Sequence, residues 1–252
     1  MLVNMEKKTK IAVFDIDGTI FRKNLAFELI NELSWQGTFK KSVRAQLMKD
    51  YTNWLAHKGT YEDYRLALVK LYFENLKGCK KEDVIRAARE VMPFHQDRTY
   101  IFAENLIRKL KAENYNIIAV SGSPSEIVDE YNNHLGFDAV FGSIYELDEH
   151  DVFTGGAVFE PTKDKGGVVR QYMVDNGLVI ADSYGIGDTE SDVPVLEIVE
   201  NPIAFNPNYN LKEAAEKRGW KIIVEKKDVI YDLSLQEKKE IFPATENGAA
   251  IC

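Results

Sequence analysis

The chain has 252 residues, 45% hydrophobic and 29% charged, enough for one large globular domain or a core with a smaller companion. A formal net charge of -8 without a basic cluster argues against a nucleic-acid partner, and lysine pairs such as Lys40-Lys41 and Lys80-Lys81 read as solvated helix faces. Two cysteines, Cys79 and Cys252, exclude a disulfide framework or a cysteine zinc cluster; with no apolar run near the ~20 residues that span a bilayer and no secretory signal in MLVNMEKKTK, no membrane association is expected and a reducing cytoplasm is the expected location.

The first expected element is a strand over residues 11–14, an apolar run of the kind buried on both faces, ending in the acids of FDIDGTIF. From about residue 24 to 92 the periodicity is helical throughout, with helices expected at 25–35, 40–57, 61–76 and 81–92 and Pro93 as a stop. We read residues 23–95 as an all-helical cap inserted into a catalytic core made of residues 1–22 and 96–252. A helix over 99–113 follows, then a strand over 116–120 ending at Ser121. Ser123-Pro124-Ser125-Glu126 opens another helix, with Ser123 as the cap, Glu126 completing a capping box and Gly136 as the stop. Residues 144–159 form an expected β-hairpin turning near His150-Asp151. Strands at 183–187, 203–205 and 220–224 complete the pattern, and the tail after Leu233 is polar and weakly patterned.

Alternating strands and helices predict an α/β fold, a Rossmann-like parallel sheet with helices on both faces. Ligands of such sheets bind beyond the carboxyl ends of the strands. Asp15, Ser121 and Asp188 all fall there, and Asp17, Gly122, Lys165 and Asp192 lie close to them in sequence or pattern. Four converging carboxylates would drive one another towards protonation, and a hard cation such as Mg²⁺, together with Lys165, relieves that conflict. The Ser121 hydroxyl, nearby N–H groups and the helix beginning near Ser123 would receive an anion.

In order, DIDGT, VSGS, the lysine of KDKGG and GDTESD resemble the four motifs of the haloacid dehalogenase superfamily, and the chain looks most like its phosphoserine phosphatase branch, over the whole length up to about Lys227. The resemblance implies a Mg²⁺-dependent phosphatase acting on a small phosphorylated metabolite. It implies Asp15 as nucleophile, Asp17 as general acid and then base, and Ser121, Gly122 and Lys165 as stabilisers of the transferring phosphoryl group. Gly18 and Thr19 would close the loop around that group. Asp15, Asp17 through its carbonyl, and Asp188 would hold the metal, with Asp192 orienting its water shell or Lys165. Asp17 favours phosphate esters over carbon–halogen bonds, because an alkoxide leaving group needs a proton.

Phosphoserine phosphatases carry a glutamate shortly after the first motif and an arginine in the cap. Asn24 stands about where that glutamate would be, and Arg65 is the candidate arginine. The expectation is therefore that phosphoserine is not the preferred ester, and that the leaving group is a small neutral or differently charged alcohol. A phosphomutase using the same aspartates and a non-catalytic phosphate-binding protein are the rival readings. Taken alone, Asp15 and Asp17 also fit an exposed strand-end turn, Lys163 competes with Lys165, and Glu190 competes with Asp192. His57, His95, His134 and His150 show no metal-type spacing, and Trp35, Trp54, Tyr61, Tyr64 and Tyr72 are expected chiefly as cap core.

Overall fold

The computed structural model describes residues 8–235; Cys252 and the tail beyond residue 235 lie outside them. Strands β1 (Lys10–Phe14), β2 (Asn116–Pro124), β3 (Ala139–Leu147), β4 (Phe153–Phe159), β5 (Val179–Gly187), β6 (Asn201–Phe205), β7 (Lys221–Lys226) and β8 (Val229–Asp232) join one sheet. Their spatial order is β4-β3-β2-β1-β5-β6-β7-β8. The six inner strands are mutually parallel, while β4 pairs antiparallel with β3 and β8 antiparallel with β7. The sheet is thus mixed rather than wholly parallel. Each edge strand returns through a tight turn, and only a longer crossover could have brought it back parallel. Order reverses around β1, with β2 and β3 on one side and β5 to β7 on the other, which opens a crevice at its carboxyl end.

Both sheet faces are buried by strand alternation. Ala12, Phe14, Ile117 and Ala119 belong to one apolar cluster, whereas Ile11, Val13, Ile118 and Val120 belong to another, with Val169 and Met173 of helix α7 (Lys165–Asn176). A third cluster joins Ala204 and Ile222 to Leu211 and Ala215 of α9 (Tyr209–Arg218). The buried second half of β5 is the part its sequence announces. Its first four residues are exposed, and the pairing with β1 shifts register before Tyr184, near Asp182, whose φ is 59°.

Four helices follow β1 without an intervening strand: α1 (Leu25–Gln36), α2 (Lys41–Leu55), α3 (Tyr61–Leu76) and α4 (Lys81–His95). Asn24 caps α1 by accepting from the Phe27 N–H at 3.0 Å, and Thr60 and Asp63 form a reciprocal capping box on α3. Pro93 does not end α4. It removes one donor, but the Gln96 N–H still reaches the Met92 carbonyl at 2.9 Å, so the helix closes at His95. Leu29, Leu33, Leu68, Tyr72, Val84 and Ala88 of these helices share one continuous apolar cluster with Phe14 and Ile16, and with Tyr131 of α6 (Ser125–Leu135). The two strands of chain that enter and leave the four-helix segment are tied together: the Arg22 N–H donates to the Arg98 carbonyl at 2.8 Å, and Phe21 bridges to Thr99.

Candidate active site

Three neighbouring strands deliver the polar groups. Asp15 follows β1, Ser121 to Ser123 lie at the end of β2, and Asp188 follows β5. The crossover from β4 contributes Lys165 on the first turn of α7, and the loop after β5 contributes Asp192. The Lys165 ammonium, 2% exposed, donates to Asp15 Oδ1 and to Asp192 Oδ1, each at 2.6 Å. One oxygen from each of Asp15, Asp188 and Asp192 lies within 4.8 Å of the other two. Lys163 is elsewhere, paired with Glu160, and Glu190 is held by Asn208 and Asn210, whereas Lys165 and Asp192 are buried and paired with each other.

Geometry here rests on close backbone approach. Gly18 has φ +86°, and a Cβ on it would meet Asp188 Oδ2 at 2.1 Å. A Cβ on Gly187 would meet Asp192 Cγ at 2.3 Å. Asp192 Oδ2 accepts from the Asp188 and Thr189 N–H groups, both at 3.1 Å, which fixes the loop that carries both acids. The Thr19 hydroxyl donates to Asp188 Oδ1 at 3.4 Å, and the Gly122 carbonyl accepts from Ser143 Oγ at 2.9 Å.

Burial pushes the Asp15 carboxyl up to about 7, opposed by Lys165 and reinforced by Asp192 and Asp17. Burial, then Asp15 and Asp192, drive Asp188 well above the usual carboxylate range. For Lys165 burial disfavours the charge, yet Asp15 and Asp192 outweigh it and raise its pKa. Four carboxylates thus lie in the field of one ammonium. The three converging acids offer only hard oxygens, a set suited to a hard divalent cation rather than to soft metals.

Asp17 stands apart from that cluster of three. Its Oδ1 accepts from the Leu25 N–H at 2.6 Å, and its Oδ2 from the Ser121 and Ser123 hydroxyls at 2.9 and 2.7 Å. Burial raises its pKa, while these three donors favour its ionised form. Ser123 is consequently not a helix cap. Pro124 occupies the position before α6, and the Ser123 hydroxyl instead bridges Asp17 to the Ala26 N–H, which donates to it at 3.2 Å. The helix whose first N–H groups meet the site residues is therefore α1 rather than α6. The paired serines of SGS were the available signal.

Two contiguous cavities lie above these groups. A small one, about 50 Å³, is lined by Asp15, Asp17, Gly122, Lys165 and Asp188, with Arg65 at its side. The Arg65 guanidinium reaches both carboxylate oxygens of Glu62, at 2.7 and 2.6 Å. The larger cavity, about 620 Å³, opens beneath α1, α2 and α3. Asn24, Tyr61 and Asp188 line both. Trp54 and Tyr61 are half-buried and face the larger space, Tyr64 lines it while being buried as expected, Tyr72 is buried and Trp35 is exposed on the outside.

The model of the haloacid dehalogenase-like hydrolase family matches residues 12–197. The chain belongs to that family. Within this hydrolase family it is similar to the phosphoserine phosphatase of Methanocaldococcus jannaschii, 26% identical over 227 residues covering 89% of this chain and 96% of the relative. It is also similar to a histidinol-phosphatase of Neisseria meningitidis, 22% identical over 227 residues covering 84% and 97%. Among solved structures, a Bordetella pertussis protein of unknown function superposes with a TM-score of 0.67 at 21% identity, covering 86% of this chain and 98% of that one. A phospho-aspartyl intermediate analogue of phosphoserine phosphatase gives 0.61 at 24% identity, covering 88% and 96%, so the hydrolase shares their fold. Among the described residues no helix is long and apolar enough to cross a membrane.

Proposed function

We propose that this chain hydrolyses a phosphomonoester in two steps through an aspartyl-phosphate on Asp15, with Mg²⁺ as its metal. That it is a phosphoric monoester hydrolase follows from its family and from the phosphatases among its relatives. One observation carries the finer reading: Asp15, Asp188 and Asp192 meet around Lys165, while Asp17 is held separately among hydrogen-bond donors.

Asp15, Asp188 and the Asp17 carbonyl would hold the metal, which when bound supplies positive charge to the phosphate and lowers the Asp15 pKa. An oxygen of the ionised Asp15 carboxylate attacks phosphorus, and the bond from phosphorus to the alcohol oxygen breaks. Asp17, made more basic by burial and by the arriving phosphate, gives its proton to the departing alkoxide. In the second step Asp17 takes a proton from water, the resulting hydroxide attacks phosphorus, and the acyl-phosphate bond breaks to regenerate the Asp15 carboxylate. Lys165 keeps Asp15 aimed and offsets charge on the phosphoryl oxygens, with Ser121 and Gly122 on their other side. Residues 23–95 act as the cap, closing over the substrate to exclude water, with hinges near residues 21–24 and 93–97.

A phosphate-release screen over a panel of phosphomonoesters, run with Mg²⁺ and with chelator, tests this reading. The expected result is Mg²⁺-dependent release and a phosphorylated Asp15 in acid-quenched protein. Isomerised product without free phosphate would instead establish a mutase.

A further inference from the structure

Five aromatic side chains on the cap helices and their junctions make one wall of the larger cavity: Phe27, Tyr51, Trp54, Tyr61 and Tyr64. Each touches at least one other. The Trp54 and Tyr64 rings lie nearly parallel, 13° apart with centroids at 5.4 Å, and Tyr51 reaches Phe27, Trp54 and Tyr64 at 5.3, 5.8 and 5.8 Å. Packing buries Tyr64 behind Trp54 but leaves the other four partly exposed. Helix α2 buries only Val43 and Leu47, and Tyr51 and Trp54 remain partly exposed towards the cavity. Phe27, Tyr51, Trp54 and Tyr61, all half-buried, leave apolar faces that a ligand would cover, with Tyr64 backing Trp54.

Chemistry of the remaining lining narrows what that ligand is. Among the described residues Met48 is the single aliphatic side chain lining the cavity, so the space is not shaped for an acyl chain. Asn31, Asn206 and Asn208 add amides between the rings, which suits a flat group with polar edges. A cationic alcohol is disfavoured: Arg22, Lys23 and Arg44 line the space, and the one acid of the roof, Glu28, already takes Lys23 at 3.1 Å and lies near His95 and Arg98. The volume of about 620 Å³ is in the range that holds a drug-sized molecule and far exceeds what serine would fill.

The geometry points to a substrate whose alcohol carries a neutral or anionic aromatic or heteroaromatic ring, stacked on the Tyr51–Trp54–Tyr64 wall while its phosphate sits over Asp15. This deepens the phosphatase reading and rests on it. Tyr61 and Asn24, which line both cavities, mark where the ester linkage would pass from one to the other.

Matched primary-alcohol esters test it. One pair is a nucleoside 5′-monophosphate against ribose 5-phosphate; the other is 3-phenylpropyl phosphate against 3-cyclohexylpropyl phosphate. Binding is measured by calorimetry on the Asp15→Asn full chain with Mg²⁺, independently of turnover. The aromatic member of at least one pair binds roughly 10-fold or more tightly, given the strength of ring–ring contacts. Trp54→Ala and Tyr64→Ala shrink that ratio, and Trp54→Phe restores part of it. Equal binding within each pair, or a ratio that survives both alanine variants, overturns the assignment. Failure of the phosphatase reading looks different: the wild-type chain with Mg²⁺ then releases no phosphate from any member, whatever the binding ratios. Phosphate release together with equal binding defeats the ring alone.

Discussion

The floor of the site and its roof are built by opposite means. On the floor, Asp15, Asp188, Asp192 and Lys165 are almost fully buried, and each has a partner within hydrogen-bond reach. Under the roof, Tyr51, Trp54 and Tyr61 are only partly buried and face a space of about 620 Å³. Charge in a low-dielectric pocket tolerates almost no displacement, so the floor is rigid and specified by a few residues at strand ends. Apolar contact is non-directional, so helix packing can vary the roof without touching the floor. Reaction type and substrate choice are therefore separable in this molecule, and variants can be chosen to break that separation.

The largest effect belongs to Asp15→Asn. Phosphate release should fall by roughly 10⁴-fold or more, as for other covalent nucleophiles. Stability should not fall with it, because the substitution removes one of four crowded buried charges and leaves Lys165 its bond to Asp192. Phosphate-release kinetics beside a thermal melt without metal check both halves. Activity within tenfold of wild type would remove Asp15 from the role of nucleophile, and a lower melting temperature would overturn the expectation that its charge is not needed for stability.

Next comes Gly18→Ala, which breaks the floor without removing any functional group. The added methyl would meet Asp188 Oδ2 at 2.1 Å in a backbone with φ +86°, so either the loop or the acid must move. We expect a loss of about 1–3 kcal/mol in stability from the left-handed backbone alone. Mg²⁺ binding should weaken as well, since Asp188 is one of the three converging acids. A denaturant melt and a Mg²⁺ titration by calorimetry measure the two. Wild-type values in both would mean that the Gly18–Asp188 approach is not needed.

That contrast also explains what could be read in the sequence. Asp15, Lys165 and Asp188 could be picked out because each sits beside a glycine or at a strand end, and Asp192 because it closes the GDTESD pattern. The parallel core was legible because its strands are buried on both faces. The exposed half of β5 and the four exposed or half-buried residues of β8 were not, because nothing apolar marks them. Ser123 was misplaced because serine before Pro-Ser-Glu fits a helix cap, and only the approach of β1 turns its hydroxyl to Asp17. The aromatic wall gathers residues from three helices. Periodicity places Tyr61 and Tyr64 on one face of α3, but does not show that Trp54 of α2 joins them or whether that face meets protein or an open cavity.

A moderate effect is expected from pH on the metal. Burial raises the Asp15 carboxyl from 3.8 to about 7 without metal, so the folded chain holds a proton that the unfolded chain releases. The stability this group contributes is full below 3.8 and is lost as pH rises through 7. Mg²⁺ must displace that proton. Its apparent affinity should strengthen by up to about tenfold per pH unit below neutrality and then level off. The rise in melting temperature on adding Mg²⁺ should accordingly be greater at pH 8 than at pH 6. Calorimetric affinities that stay flat between those values would separate Asp15 from the metal.

The smallest effect is the most discriminating, because Asn24 belongs to floor and roof at once. It lines both cavities, and its Oδ1 also caps α1 through the Phe27 N–H at 3.0 Å. Asn24→Ala removes the cap and should cost about 1 kcal/mol. Asn24→Asp keeps the cap, since aspartate accepts the same bond, but adds a negative charge beside Asp17 and the phosphate subsite. If Asn24 only caps, the alanine variant melts earlier and neither variant changes KM in step with stability. If its amide also meets the ester, both raise KM, and the aspartate variant does so at unchanged melting temperature because it repels the phosphate. A KM unchanged in both variants would assign Asn24 to the helix alone, and the junction between the two cavities would then fall to Tyr61.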